Sequence, residues 1–482
     1  MCPHRKRATI IGWKVLKKQE FHRLECSERR VLCLLVASRN DEMVMSAPLK
    51  AAAVILLVCL MVLPSVRAQS AGPYTPRDIR AAYDVDPLLN SGYTGKGVTV
   101  AIVNTGIDST FHSDLGNFSL KYGLPQPNVS LAEPFGLAGT DRESPMSETT
   151  ADTELVHAMA PDAKILLVLT GYQARELPAG FSYVIDNNAA DIATISPFWF
   201  SWGQQGRDAM QSYDREYAKS VAENITLIAA SGDWGSNNSV NPPWVAGSPY
   251  LIPSYSPYVT VVGGTALTLQ SGGYGSETGW NMSGGGPTNV SPEPSWQTAP
   301  GVLENGVRNI PDVALDASCE TPYAYYWNGD VQSWLCGTSG GAPTFAGIVA
   351  DIEQAAGRRL SFLNPTLYSL ASSDPTVFHE ITSGCSLVQV EPGPIVPGYC
   401  AHPGWNFVTG LGSIDAARLA LHLASSAHIV LGMTFSSTLI TTSSSNSLGA
   451  ETAWFTLSAG VVLAIIVSAL GFRRRIKRTS QQ

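Results

Sequence analysis

The sequence predicts an α/β domain with a mostly parallel central sheet, followed by one C-terminal transmembrane helix. Three observations carry that reading. Short β-branched apolar runs alternate with helical stretches from about residue 73 to 425, with no linker and no internal repeat. The uncharged apolar run Ala453–Phe472 is 20 residues long and is followed by Arg473, Arg474, Arg475, Lys477 and Arg478. The formal net charge of −8 over 482 residues is unevenly spread: residues 1–68 carry +7, residues 69–452 carry −20 and residues 453–482 carry +5. A strongly acidic middle lacks the clustered cations that phosphate binding needs, so neither nucleic acid nor nucleotide is an expected partner. An apolar fraction of 44% excludes a disordered chain.

The elements follow in order. Residues 1–42 are basic and read as a non-native N-terminal extension, with translation starting at Met43 or Met45. Residues 43–68 read as a secretory signal peptide: Lys50, the apolar stretch Ala51–Leu63, then Val66 and Ala68 at the −3 and −1 positions. Thirteen apolar residues are too few to span a bilayer. Within the acidic part, Gly97–Asn104 reads as a buried strand, Glu148–Met159 as a helix stopped before Pro161, and Ala163–Leu169 as a second strand. Ala190–Ile195, Thr226–Ala230 and Tyr258–Val262 repeat the strand pattern, and Ala209–Glu223 and Thr344–Ala355 read as helices. Residues 434–452 form a Ser/Thr-rich stalk. Residues 453–472 are long enough to cross the hydrocarbon core, and the basic tail 473–482 belongs on the cytoplasmic side. The acidic domain is then extracellular, tethered to the cell membrane by its C-terminus. Four cysteines remain there, and sequence proximity suggests the pairs 319–336 and 385–400, although four cysteines allow three connectivities. Six Asn-x-Ser/Thr sequons, from Asn117 to Asn289, agree with export.

Three local patterns could carry chemistry. Gly337-Thr338-Ser339-Gly340-Gly341-Ala342-Pro343 sets a serine among small residues before a helix, which suits an exposed nucleophile with backbone N–H groups beside it. Such a serine needs a base. The histidines at 112, 157, 379, 402, 422 and 428 lie in no H-G-T-H setting. Glu148 and Asp152, spaced i, i+4, fall within about 40° of one helix face. Two adjacent carboxylates repel, so one holds its proton longer, and the pair can serve as a base in acid. Asp233, in Ser231-Gly232-Asp233-Trp234-Gly235, follows the strand Thr226–Ala230. Ligands of open α/β sheets sit beyond such strand ends, and a protonated Asp there can donate to an oxyanion.

Taken together the chain resembles the sedolisins, or serine-carboxyl peptidases, relatives of subtilisin. The likeness begins at Tyr74-Thr75-Pro76 and ends at Thr409-Gly410-Leu411-Gly412. Between them lie Ser113–Pro125, His157–Val168, VVGGT from Val261, SGGG from Ser283, PSWQ from Pro294 and Ile310–Ala317. The resemblance implies a subtilisin-like three-layer fold and proteolysis of polypeptide substrates in acid. It implies Ser339 as nucleophile, Glu148 as general base, Asp152 as its partner and Asp233 as the oxyanion-hole acid. Asn104 stands where subtilisin's D-T-G has its Asp, which argues against a Ser–His–Asp triad. The family carries a large prosegment, and none is expected between residue 68 and the mature-like start. The family also binds one Ca²⁺, through positions that match Glu380, Ile381, His402, Gly404 and Asn406 here. Glu and Asn replace the two Asp ligands at 380 and 406, which lowers the charge of the site, and a Cys385–Cys400 bridge is expected to pin the same loop. Two other readings stand beside the endopeptidase: an exopeptidase releasing short peptides from N-termini, and a non-catalytic surface protein on a peptidase fold.

Overall fold

The computed structural model describes residues 73–135, 146–170, 176–196, 199–201, 203–237, 250–389 and 393–424. The expected extension, signal peptide, stalk, transmembrane segment and tail lie outside these residues. Among the described residues no helix is long and apolar enough to cross a membrane.

An eight-stranded sheet organises the domain. Its strands are β1 (Thr99–Asn104), β2 (Asn128–Ala132), β3 (Lys164–Leu169), β4 (Ile192–Ile195), β5 (Thr226–Ala230), β6 (Thr260–Gln270), β7 (Gly273–Gly279) and β8 (Val313–Asp316). The order is β8-β6-β5-β4-β1-β3-β2, all parallel, with β7 antiparallel to β6. β6 runs eight residues beyond the expected Val262 because it continues into the β6–β7 hairpin, whose turn uses Ser271 and Gly272 at positive φ.

Strand alternation divides the core in two. Val100 and Ile102 of β1 face one apolar cluster, and Ala101 and Val103 face another. The first cluster receives helices α1 (Phe111–Tyr122), α2 (Met146–Met159) and α6 (Thr338–Ala356), through Phe118, Leu155, Val156, Phe345 and Ile348. The second receives α3 (Leu177–Asp186) and α4 (Gly203–Tyr217), through Phe181, Val184, Met210 and Tyr217. Helices on both faces of a parallel sheet are the three-layer arrangement that alternating elements predict. The stretch expected as one helix over 209–223 starts at Gly203 and divides at Ala218, with a short α5 (Lys219–Glu223) capped by Asn224 in the left-handed conformation.

α2 and α6 lie against each other closely: a Cβ on Gly347 would come within 2.7 Å of the Met159 Cβ. α6 begins six residues before the expected Thr344. Gly340, Gly341 and Pro343, poor helix formers, are taken into its first turns. Cysteines 319 and 336 are joined, as are 385 and 400. The first bridge closes the base of the hairpin β9 (Tyr323–Trp327)–β10 (Asp330–Leu335), which runs directly into α6.

Candidate active site

The side chains singled out in the sequence meet beyond the carboxyl ends of β1, β4 and β5. Asn104 ends β1, Ser196 follows β4, and Asp233 lies three residues past β5. α2 brings Glu148 and Asp152 to the same place, one helical turn apart, and α6 brings Ser339 as its second residue. Ser339, Glu148 and Asp233 keep partial exposure, whereas Asp152 is buried.

Ser339 lies within interaction range of the Glu148 carboxyl and favours its ionised form. Asp152 holds two donors of its own: Asn104 Nδ2 at 3.1 Å on Oδ2 and Ser196 Oγ at 2.8 Å on Oδ1. Asn104 Oδ1 accepts the Thr105 N–H at 2.8 Å, which fixes the amide so that its NH₂ faces Asp152. Ser196 Oγ also lies 3.3 Å from the Ser339 carbonyl. That carbonyl lacks its helical donor because residue 343, four positions on, is a proline without an N–H.

Asp233 is tied to the helix start. Its Oδ1 accepts the Thr338 N–H at 2.7 Å and the Thr338 hydroxyl at 2.8 Å. The same hydroxyl accepts the Gly232 N–H at 3.0 Å, so its own proton points at Asp233. Oδ2 is left toward Gly337, where an added Cβ would sit 2.5 Å away. Gly337 has φ +116°, a conformation that side chains rarely adopt. The Ser339 N–H belongs to the first turn of α6, where amides have no intrahelical acceptor. A neutral Asp233 and this amide could together face an oxyanion.

All three carboxyls hold protons more tightly than usual. Burial pushes Glu148 up to about 7, against the hydrogen bond from Ser339, and the neighbouring Asp233 adds to the rise. Burial and then the charge of Glu148 push Asp152 well up, against the bonds from Ser196 and Asn104. Burial also raises Asp233, opposed by the two Thr338 donors. Glu148 and Asp152 therefore titrate as a pair, one holding its proton while the other ionises.

No family model matches the chain. Relatives do. Kumamolisin of Bacillus sp. (strain MN-32) is 34% identical over 389 residues, covering 75% of this chain and 66% of that protein. A Pseudomonas sedolisin, described as a serine-carboxyl proteinase and solved with two molecules of pseudo-iodotyrostatin, superposes with TM-score 0.65 at 28% identity, covering 74% of this chain and 99% of the solved one. The chain belongs to the sedolisin family. Tripeptidyl-peptidase 1 of Rattus norvegicus is 32% identical over 380 residues, covering 70% of this chain and 62% of that protein. The chain thus spans just under two thirds of the curated relatives' own length.

For this sedolisin-family chain, Ser339, Glu148, Asp152 and Asp233 lie where the sequence singled them out and in mutual contact or charge range. Ser196 and Thr338 were not singled out, and Asn104 was read only as the loss of an Asp. Their shared signal is position: two follow or end strands at the sheet's carboxyl edge, and one flanks the serine. Among the described histidines, His157 is engaged with the Pro125 carbonyl and His422 with Asp374.

The five positions expected to hold calcium do cluster, but they do not fit a cation as placed. The Asn406 side chain turns its NH₂ toward the carbonyls of Ile381, His402 and Gly404, and Glu380 Oε1 accepts the Gly404 N–H. Among the described residues no group of three or more His, Cys, Asp or Glu side chains is arranged to hold a metal.

Proposed function

We propose that the chain is an acid-acting serine-carboxyl endopeptidase. One arrangement carries this reading: Ser339 sits beside a half-enclosed carboxylate, Glu148, and holds its pKa down, while the partner carboxyl, Asp152, is already supplied with donors. Ser339 Oγ attacks the scissile carbonyl and passes its proton to ionised Glu148. Neutral Asp152 stabilises Glu148 in that state without competing for the serine's proton. Neutral Asp233 and the Ser339 N–H stabilise the oxyanion. Glu148 then hands its proton to the leaving amine, which departs and leaves an acyl-Ser339 ester. Water attacks the ester as Glu148 takes its proton, and Glu148 returns that proton to Ser339 Oγ as the acid product leaves.

The expected placement is part of the same proposal: exported through residues 43–68, tethered by residues 453–472, catalytic domain outside the cell, with polypeptides as substrates. A second reading, an exopeptidase acting from N-termini, is favoured by the likeness to tripeptidyl-peptidase 1. The test is hydrolysis of denatured protein by the full chain in acid, with Ser339→Ala as control. Full activity in that variant would refute the nucleophile. Peptides with free and blocked N-termini separate the two modes: cleavage of both marks an endopeptidase.

A further inference from the structure

The cluster around Asn406 has a defined polarity. Asn406 is buried, and its Oδ1 accepts the Val408 N–H at 3.0 Å, the Thr409 N–H at 3.0 Å and the Thr409 hydroxyl at 3.1 Å. Two of these donors are backbone amides that cannot act as acceptors, so the side-chain oxygen must face them. Its nitrogen is thereby turned toward the Ile381, His402 and Gly404 carbonyls, at 3.3, 3.3 and 3.5 Å. A cation wants oxygens at about 2.3–2.6 Å and no hydrogens in its shell. Here the centre toward which the carbonyls converge holds an N–H donor. Flipping the amide to admit a cation would set NH₂ hydrogens against the Val408 and Thr409 N–H groups. The single carboxylate of the set, Glu380, accepts the Gly404 N–H at 2.9 Å.

The loop is fixed by other means as well. Asn406 and Gly410 exchange backbone hydrogen bonds at 3.0 and 2.9 Å, and Trp405 donates its N–H to Pro300 at 2.7 Å and Nε1–H to Pro311 at 3.1 Å. The Val408 carbonyl accepts Ser283 Oγ at 2.7 Å, which ties the loop to the sheet region. The bridge Cys385–Cys400 joins strands β11 (Cys385–Gln389) and β12 (Ile395–Cys400) in the segment between Ile381 and His402.

We propose that the Asn406 side-chain amide takes the place of the family's calcium ion, so that this loop folds without metal, and that the one substitution Asn406→Asp restores a calcium site. Asp at 406 keeps one oxygen on the Val408 and Thr409 donors. It turns the other toward three carbonyl oxygens, an all-oxygen shell that only a cation can settle. The inference rests on family membership and on this geometry, and is independent of the peptidase activity.

The test is thermal unfolding of the full chain in EDTA and in rising calcium, at a pH above the ordinary carboxylate range. Wild type should keep one Tm throughout. Asn406→Asp should melt lower in EDTA and climb with each increase in calcium, as ligand linkage requires. Asn406→Ala, which removes the amide and adds no charge, should melt lower by the same amount with and without calcium. A wild-type Tm that rises with calcium, or an Asn406→Ala Tm equal to wild type, would overturn the proposal. Should Asn406→Asp fail to fold in either medium, terbium luminescence decides on wild type alone. Absence of Trp405-sensitised emission supports amide occupancy, and emission that calcium quenches refutes it.

Discussion

Replacing Asp233 by Asn should abolish the alkaline limb of the activity profile while leaving acid activity close to wild type. The geometry fixes how the amide would sit. Oδ1 of Asp233 faces two donors, the Thr338 N–H and a Thr338 hydroxyl whose own acceptor role is filled by Gly232. The Asn carbonyl must therefore take that place, and its NH₂ must take the place of Oδ2, beside Gly337. In wild type the same position donates only when Asp233 carries its proton, which burial favours and the Thr338 donors oppose. Losing one oxyanion donor costs about 10²–10³ in kcat, or about 3–4 kcal/mol. Once Glu148 is ionised and Asp233 is losing its proton, wild-type kcat/KM should fall about tenfold per pH unit toward that floor, because the donor-bearing fraction falls tenfold. Asp233→Asn has no such proton to lose, so its profile should show no alkaline fall and should follow the ionisation of Glu148 alone. In acid it should lie within about tenfold of wild type, since one neutral donor replaces another. The assay is kcat/KM on one peptide across acid to neutral pH for both proteins. An Asp233→Asn profile that keeps the wild-type alkaline limb would refute the oxyanion role, as would loss of activity at every pH.

Three further outcomes are expected. Glu148→Gln removes the base and leaves the Ser339 contact, so kcat should fall by about 10²–10⁴ with little change in KM, measured by steady-state kinetics in acid. Gly337→Ala puts a Cβ 2.5 Å from Asp233 Oδ2 at φ +116° and should lower kcat about a hundredfold by displacing the donor, with the four site residues intact. Glu353, buried on α6 and pushed up to about 8 by burial, keeps a proton that the unfolded chain releases near the ordinary carboxylate value of about 4. Its contribution is full in acid and is lost as pH rises toward 8, at up to about 1.4 kcal/mol per pH unit. Glu353→Gln keeps an acceptor for the Leu360 N–H at 2.9 Å, and denaturant titrations should show a shallower loss of stability with pH.

Much of the site was legible because it rests on local spacing. The i, i+4 carboxyls and the serine before a helix are patterns in one stretch of chain, and Asp233 was placed by following a strand to its end. What escaped notice depends on which strand ends lie side by side. Ser196 reaches Asp152 because β4 lies next to β1 in the sheet, and Asn104 reaches it because α2 packs over β1. Neither adjacency is written in a spacing. The start of α6 departs from the expected Thr344 for a similar reason. Gly340, Gly341 and Pro343 disfavour a helix locally, but small residues are what let its first turns lie close against neighbouring elements. The Asn406 loop was legible as a set of positions and illegible in polarity, since the direction of its amide is set by backbone N–H groups two and three residues on.

The acidity of the domain also takes a different meaning once burial is known. A charge of −20 over residues 69–452, were it all on the surface, would repel itself least in acid. Exposed charges are screened beyond about 8–10 Å, so that effect is weak. Glu154, Asp316, Asp351 and Glu353 are not on the surface: each is buried, and burial is the leading cause of its raised pKa. Each binds a proton in the folded state that the unfolded chain gives up near pH 4, so each makes folding weaker as pH rises. The carboxyls of the candidate site obey the same sign: Asp233 must be neutral to donate, a state that burial favours and the Thr338 donors oppose. Stability and catalysis should then decline in the same direction for separate reasons, one distributed through the core and one confined to a single oxygen. Returning a neutral-inactivated sample to acid distinguishes them. Immediate recovery marks deprotonation of Asp233, and slow or partial recovery marks unfolding driven by the buried acids.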